Sequence, residues 1–329
     1  MKTQNLGIIG CGDYVQRWES SPISNSKNIN VSVLYDIVPE NAQKLSQKIG
    51  GKIVESDNAI FEDAEIDIVC LFIPPHIRKQ FIEKAVKNQK HVITTKPIAP
   101  DMDGSNELIK IVEDNIRLGV FYGRTGDPVA ETLKDIFESG EIGKLALYKQ
   151  DWIHHYPTWN NWATDKDKNG GPFMDAMIHN LNLARYLMNR NISNVNFFSD
   201  NHAHSELNCN DTEFMKVDFE ENGSAHLFIT WAADLEIFDS AGNDREHIDI
   251  CYMVSDQGWR ITIETKNEKQ YIAASKEGET KTWPVKNLEK TPYDAFAEAV
   301  AEEREFPRDI IALEDAYKDI SILKNPNQF

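Results

Sequence analysis

The sequence predicts two domains of different kinds: an α/β domain with a doubly wound parallel sheet over residues 1–124, then an α+β domain with a mainly antiparallel sheet over residues 125–329. Three observations carry this. Short apolar strands alternate with amphipathic helices through the first third, which implies parallel strands joined by right-handed crossovers. After Arg124 the alternation gives way to extended runs separated by turn signals. The length of 329 residues exceeds that of one ordinary domain.

The strands of the first part are LGIIG (6–10), VSVLYD (31–36), DIVCLFI (67–73), HVITT (91–95) and GVFYG (119–123). The third is apolar almost throughout, as a strand covered on both faces requires. Between them, PENAQKLSQKI (39–49) opens on a proline suited to a helix start, residues 78–88 group Phe81, Ile82 and Ala85, and residues 103–116 group Leu108, Ile111, Val112 and Ile116. In the second part a helix from 128 stops at Gly140, a strand covers 145–155, and a helix covers 173–188. Extended runs follow at 211–219, 224–232, 246–255, 258–264 and 269–273, with helical stretches near 292–304 and 313–323.

A formal charge of −18 argues against nucleic-acid and anionic-membrane partners, which need clustered Lys and Arg. No apolar run approaches the ~20 residues of a membrane span. Cys11, Cys70, Cys209 and Cys251 are scattered and read as buried thiols. No leader precedes the first strand, so a cytoplasmic location is the expectation. His202 and His204 have ligand-like spacing but lie in a polar, loop-like stretch, and no metal site is expected.

The first strand runs into a loop reading Gly10-x-Gly12-x-x-Val15. In a Rossmann dinucleotide fold the first glycine makes the tight turn, and the second lets backbone approach a pyrophosphate at a helix N-terminus. The third glycine is replaced here by Val15. Asp36 ends the second strand about 20 residues on, where a carboxylate accepts ribose hydroxyls and repels a 2′-phosphate. No arginine follows it, so NAD is expected in preference to NADP; the alternative for Asp36 is a turn cap before Pro39. Pro74 and Pro75 close the third strand at the carboxyl edge of the sheet, where ligands of such folds sit. Lys96 ends the next strand on the same edge, with Pro97 restricting its backbone. It reads as a lysine aimed into the cofactor crevice, or as a solvated lysine at a turn.

Asp175 and His179 are four apart on a helix and share a face, with Asn182 bordering it. Both could also be structural, Asp175 facing the helix dipole and His179 buried. The loop 152–162 carries Trp152, His154, His155, Tyr156, Trp159 and Trp162, whose rings suit stacking on sugar C–H faces and equally suit core or interface packing.

Taken together these residues resemble the glucose–fructose oxidoreductase, inositol dehydrogenase and MocA (Gfo/Idh/MocA) family. GIIGCGDY resembles its cofactor loop, the run 67–99 resembles its strand–helix–strand ending in Glu-Lys-Pro, LKDIFESGEIGKL its entry to the second domain, and GGPFMDAMIHNLN its Gly-Gly and Asp-x-x-x-His signature. The resemblance implies an N-terminal Rossmann domain and a C-terminal domain with an open sheet, often used to form homo-oligomers. It implies a cofactor site of Gly10, Gly12, Asp13, Tyr14, Asp36, Ile73, Pro74, Pro75, Thr95, Lys96 and Arg124. A small carbohydrate or cyclitol would be held by Lys96, Trp152, His154, Tyr156, Trp162, Asp175 and His179, with Lys96, Asp175 and His179 catalytic. Thr95 stands where the family has glutamate, Arg78 where histidine is frequent, and Asn182 where aspartate is common. The activity implied is hydride transfer between a sugar or cyclitol hydroxyl and NAD. Alternatives are an NAD-dependent glycosidase working by transient oxidation and elimination, and a non-catalytic cofactor-binding relative.

Overall fold

The computed structural model describes residues 3–113, 115–158, 161–239, 243–308 and 310–329. The chain forms two compact units, Met1–Tyr122 with Leu288–Tyr317, and Gly123–Asn287 with Lys318–Phe329.

The first unit is built on β1 (Gln4–Ile9), β2 (Ile29–Tyr35), β3 (Lys52–Ile53), β4 (Ile68–Leu71), β5 (His91–Thr95) and β6 (Leu118–Phe121). With the short strand Ile311–Ala312 they form one sheet in the order 311–312, β6, β5, β4, β1, β2, β3. Every pairing is parallel except that of Ile311–Ala312 with β6. From β1 the chain builds outward to β3 and then crosses back to β4 beside β1. The strand order therefore reverses between β1 and β4, and the loops leaving these strands flank the crevice where doubly wound sheets bind ligands. β4 is buried at all four positions, as its unbroken apolar run predicts.

The helix Pro75–Lys87 buries Arg78 together with Ile82 and Ala85, so a guanidinium occupies a core-facing position. Residues 288–317 belong to this unit through the helix Pro292–Ala301. Tyr293 and Phe296 join its core, and the Asp294 carboxylate accepts from Ser26 Oγ, Lys27 N and Asn28 N at 2.6–2.8 Å.

The second unit carries β7 (Leu145–Ile153), β8 (Ile192–Asp200), β9 (Thr212–Phe219), β10 (Gly223–Thr230), β11 (Ile248–Ser255), β12 (Arg260–Lys266), β13 (Lys269–Lys276) and β14 (Glu279–Pro284). The sheet order is β14, β13, β12, β11, β7, β10, β9, β8, antiparallel except for β7 with β10. β8 and β14 are strands that the sequence reading does not anticipate.

Side chains alternate across the sheet. Tyr148, Gln150, Trp152 and His154 fall on one face; the Tyr148 hydroxyl donates to Asn180 Oδ1 at 3.0 Å on the helix Ile178–Met188. The opposite face presents Phe198, Ile248 and Ile250, which are 59, 39 and 48 % exposed. All four cysteines are free; Cys11, Cys70 and Cys209 are buried, whereas Cys251 is only half-buried, short of the expectation. Among the described residues no helix is long and apolar enough to cross a membrane.

Candidate functional site

The glycine loop leaves β1 at Gly10, whose φ of +91° suits glycine. A Cβ there would lie 2.4 Å from the Phe72 carbonyl oxygen, so the loop closes directly on the exit of β4. A Cβ on Gly12 would meet nothing within 4 Å. That open space above a half-buried backbone fits a pyrophosphate cradle. Val15 is fully buried in the core, and the helix after the loop opens as a π-helical turn over Val15–Glu19 before Ser20–Asn25. The bulk that replaces the third glycine thus goes into the core.

Asp36 is tied to this loop. One carboxylate oxygen accepts from Cys11 N at 2.6 Å and the other from Val38 N at 2.8 Å. Each oxygen retains a second lone pair for a ribose hydroxyl. Both readings of Asp36, turn cap and ribose acceptor, are compatible in one side chain. Asp13 is exposed and pairs with Arg17 at 3.6 Å. Tyr14 is 37 % exposed, and its hydroxyl donates to Glu19 Oε1 at 2.7 Å. Burial raises the Glu19 carboxyl's pKa, opposed by the Tyr14 and Tyr293 hydroxyls that donate to it. The open space at Gly12 and the spare acceptor capacity of Asp36 fit the pyrophosphate and ribose of a dinucleotide.

Ile73, Pro74 and Pro75 leave β4 on the same edge, and Lys96 follows β5 with its N–H donated to Phe121 O at 3.2 Å. Lys96 is half-exposed and its peptide bond to Pro97 is cis. Thr95 is buried.

In the second unit, Phe173–Met177 is a π-helical turn running into the helix Ile178–Met188. π-turns inside helices are frequent at functional sites. Across residues 171–184 every residue is buried except Asp175 and His179. The four-residue spacing thus yields a single half-exposed polar line on an otherwise buried helix.

Asn169, which the sequence reading missed, donates from Nδ2 to Asp175 Oδ1 at 3.0 Å and fixes that carboxylate. Glu213, also missed, accepts from Phe173 N at 2.6 Å and Ser199 Oγ at 3.0 Å, anchoring the start of the same helix. No motif marks either residue; only the fold brings them to residues 173–175.

Burial pushes the Glu213 carboxyl up to about 7. Its folded value lies above the unfolded one, so the folded state holds the extra proton between about pH 4.5 and 7. Stability therefore falls as pH rises through that window and is level above it. We expect Glu213→Gln, whose Oε1 can still accept from Phe173 N while its Nε2–H donates to the Ser199 hydroxyl, and which does not titrate, to gain on wild type by about 3 kcal/mol between pH 5 and pH 8. Parallel denaturant melts at the two pH values check this, and equal pH slopes would remove Glu213 as the titrating group.

Trp152 and His154 share the helix-facing side of β7. His154 is 3 % exposed, and its Nδ1–H donates to His155 O at 2.7 Å. Burial lowers its pKa, which keeps it neutral and leaves Nε2 a bare acceptor. Neither that nitrogen nor the buried Trp152 Nε1–H has a partner among the described residues. Both atoms have less than 1 Å² of exposed surface, so they are unsatisfied polar groups inside the unit.

Arg124 belongs to this unit and lies 4.9 Å above the Trp152 ring. Tyr156 packs on His155 and edge-on to His204, and Trp162 is half-buried. Trp159 lies outside the described residues. Asn182 is spent internally: its Oδ1 accepts from Thr125 and its Nδ2 donates to Asp319. His204 is engaged by Glu206 and Trp231 O, and among the described residues no group of three or more His, Cys, Asp or Glu could hold a metal ion.

Comparison with known proteins bears on the fold and the family. Residues 4–122 match the family model described as oxidoreductase family, NAD-binding Rossmann fold, and residues 130–243 match the GFO/IDH/MocA C-terminal domain. The chain is 27 % identical to a scyllo-inositol 2-dehydrogenase (NAD(+)) of Bacillus subtilis, over 58 % of this chain and 54 % of that protein. It is 24 % identical to a 2,7-anhydro-N-acetylneuraminate hydratase of Escherichia coli, over 68 % of this chain and 60 % of that protein. The matches thus span little more than half the length of these relatives. A crystal structure of aldose-aldose oxidoreductase from Caulobacter crescentus, solved with glycerol, superposes with a TM-score of 0.82 at 18 % identity, covering 99 % of this chain and 97 % of that one. With both of its domains matched in order along one polypeptide, the chain belongs to the Gfo/Idh/MocA family of oxidoreductases.

Proposed function

We propose that the protein is an NAD-dependent dehydrogenase acting on a hydroxyl of a sugar, sugar derivative or cyclitol. The observation that carries this reading is the half-exposed Asp175–His179 line on a buried helix, steadied by Asn169 and Glu213. The rings of Trp152, Tyr156 and Trp162 support a sugar or cyclitol as the ligand class, since aromatic faces stack on sugar C–H faces. Asp36, with no arginine beside it, supports NAD over NADP.

Gly10, Gly12, Asp13, Tyr14, Asp36, Ile73, Pro74, Pro75, Thr95 and Arg124 are the proposed cofactor contacts. Bound NAD supplies the hydride acceptor. His179 takes the hydroxyl proton, a role suited to an imidazole near neutral pH. Lys96 donates to the oxygen as it gains carbonyl character. Asp175, fixed by Asn169, orients substrate hydroxyls, and Trp152, His154, Tyr156 and Trp162 bind the ring. The apolar Phe198, Ile248 and Ile250 on the open sheet face support a homo-oligomer, dimer or tetramer, to be read from the mass in solution.

The test is absorbance at 340 nm across a panel of aldoses, sugar acids and inositols with NAD or NADP. We expect turnover on at least one, with kcat/KM favouring NAD by about tenfold or more. A preference for NADP sinks the cofactor assignment, and an inert panel sinks the activity. The relative named as a hydratase favours a second reading, elimination with the coenzyme recycled; product release without net NADH distinguishes it.

A further inference from the structure

We propose that Arg78 is the positioning residue of the Lys96 turn. Its guanidinium is 1 % exposed, and burial brings its pKa down to about 9. A buried cation is costly unless it is well paired. No carboxylate pairs with Arg78 among the described residues; main-chain carbonyls take that place. One terminal nitrogen donates to Thr95 O at 2.8 Å and also to Pro97 O, and the other donates to Ile73 O at 2.7 Å. Thr95 and Pro97 are the two neighbours of Lys96 in the chain, and Ile73 lies just beyond β4. A single planar fork thus fixes the backbone on both sides of residue 96 and ties it to the exit of the adjacent strand.

The geometry explains why arginine is needed. Arg78 sits in the first turn of the helix Pro75–Lys87, on its buried side with Ile82 and Ala85, so its own origin is rigid. Three carbonyls in different directions match a fork with several fixed donors, whereas an ammonium on a flexible stem cannot hold all three with comparable order. With those carbonyls held, the direction in which the Lys96 side chain leaves the backbone is set before any ligand arrives. One other departure from the family pattern fits this. Thr95, in place of glutamate, is buried and contributes its carbonyl to the fork, so the turn is held by backbone–guanidinium bonds.

The catalytic consequence rests on the reading that Lys96 acts on the substrate oxygen, so the test has two independent readouts. Arg78→Lys keeps the charge and loses the fork; Arg78→Met loses both. The first readout is the rate at which Lys96 is acylated by acetic anhydride in the folded protein, followed by mass spectrometry. The second is kcat against KM for the best sugar of the panel, with NADH affinity from fluorescence.

In Arg78→Lys we expect the Lys96 acylation rate to change by about fivefold or more. We expect kcat to fall about 30-fold, with KM for the sugar and NADH affinity within about threefold. A wild-type acylation rate in a folded variant overturns the proposal, and so does loss of the fold in both variants, which would make Arg78 purely structural. A changed acylation rate in a protein with no turnover leaves the positioning intact and sinks the dehydrogenase reading alone.

Discussion

His179→Ala is expected to lower the rate of hydride transfer at least about 100-fold, and Lys96→Met by a similar factor, the usual loss for a positioned acid or base. Each change is chosen to leave the fold in place. His179 is one of only two half-exposed residues in 171–184, so truncating it opens no core cavity, and alanine is the best helix former. Methionine matches the Lys96 stem as far as Cε, with sulfur for one methylene, and removes the ammonium, while the main chain around it remains gripped by Arg78. NADH affinity should therefore stay within about threefold in both.

The roles proposed also predict how the changes combine. Proton removal by His179 and oxygen stabilisation by Lys96 serve one step, so the double variant should be little slower than the slower single one. Two residues acting on separate steps would instead multiply. Stopped-flow absorbance with a C–H- and a C–D-labelled substrate measures this, because a retained isotope effect shows that hydride transfer is still being observed. Wild-type transfer in either single variant removes that residue from the chemistry.

The parts of the fold that were legible are those governed by local pattern. β1, β2, β4, β5 and β6 are short, apolar and regularly spaced, and their parallel pairing follows from their alternation with helices. Asp175 and His179 were legible for the same reason, since helical spacing alone puts them on one face. What the sequence hid depends on long-range pairing. The strand Ile192–Asp200 carries Asn and Ser at several positions and is a strand because β9 pairs with it. Residues 288–317 contribute Tyr293 and Phe296 to the first unit's core, and nothing in their apolar spacing says which core they fill. Asn169 and Glu213 have ordinary polar surroundings in sequence and gain meaning only where the fold delivers them. Asn182 is the opposite case: it borders the right face by spacing, yet Asp319, far along the chain, consumes its amide.

The two loop glycines should separate folding from binding. Gly10→Ala is expected to destabilise the protein by about 3 kcal/mol, because the position combines a φ of +91° with a Cβ placed 2.4 Å from the Phe72 carbonyl oxygen. That oxygen cannot readily retreat, since the Phe72 N–H is bonded to Ile9 O at 2.9 Å and β4 is buried along its whole length. Gly12→Ala should leave the melting temperature nearly unchanged, because its Cβ meets nothing within 4 Å and its φ is not left-handed. The methyl group would instead occupy the open space above the loop, and we expect NADH affinity to fall about tenfold or more through lost backbone approach to the pyrophosphate. Thermal melts without ligand and NADH fluorescence titrations of the two variants read the two effects apart. Gly12→Ala binding NADH as tightly as wild type would mean that the dinucleotide phosphates lie elsewhere, and the assignment of the loop would fall with it.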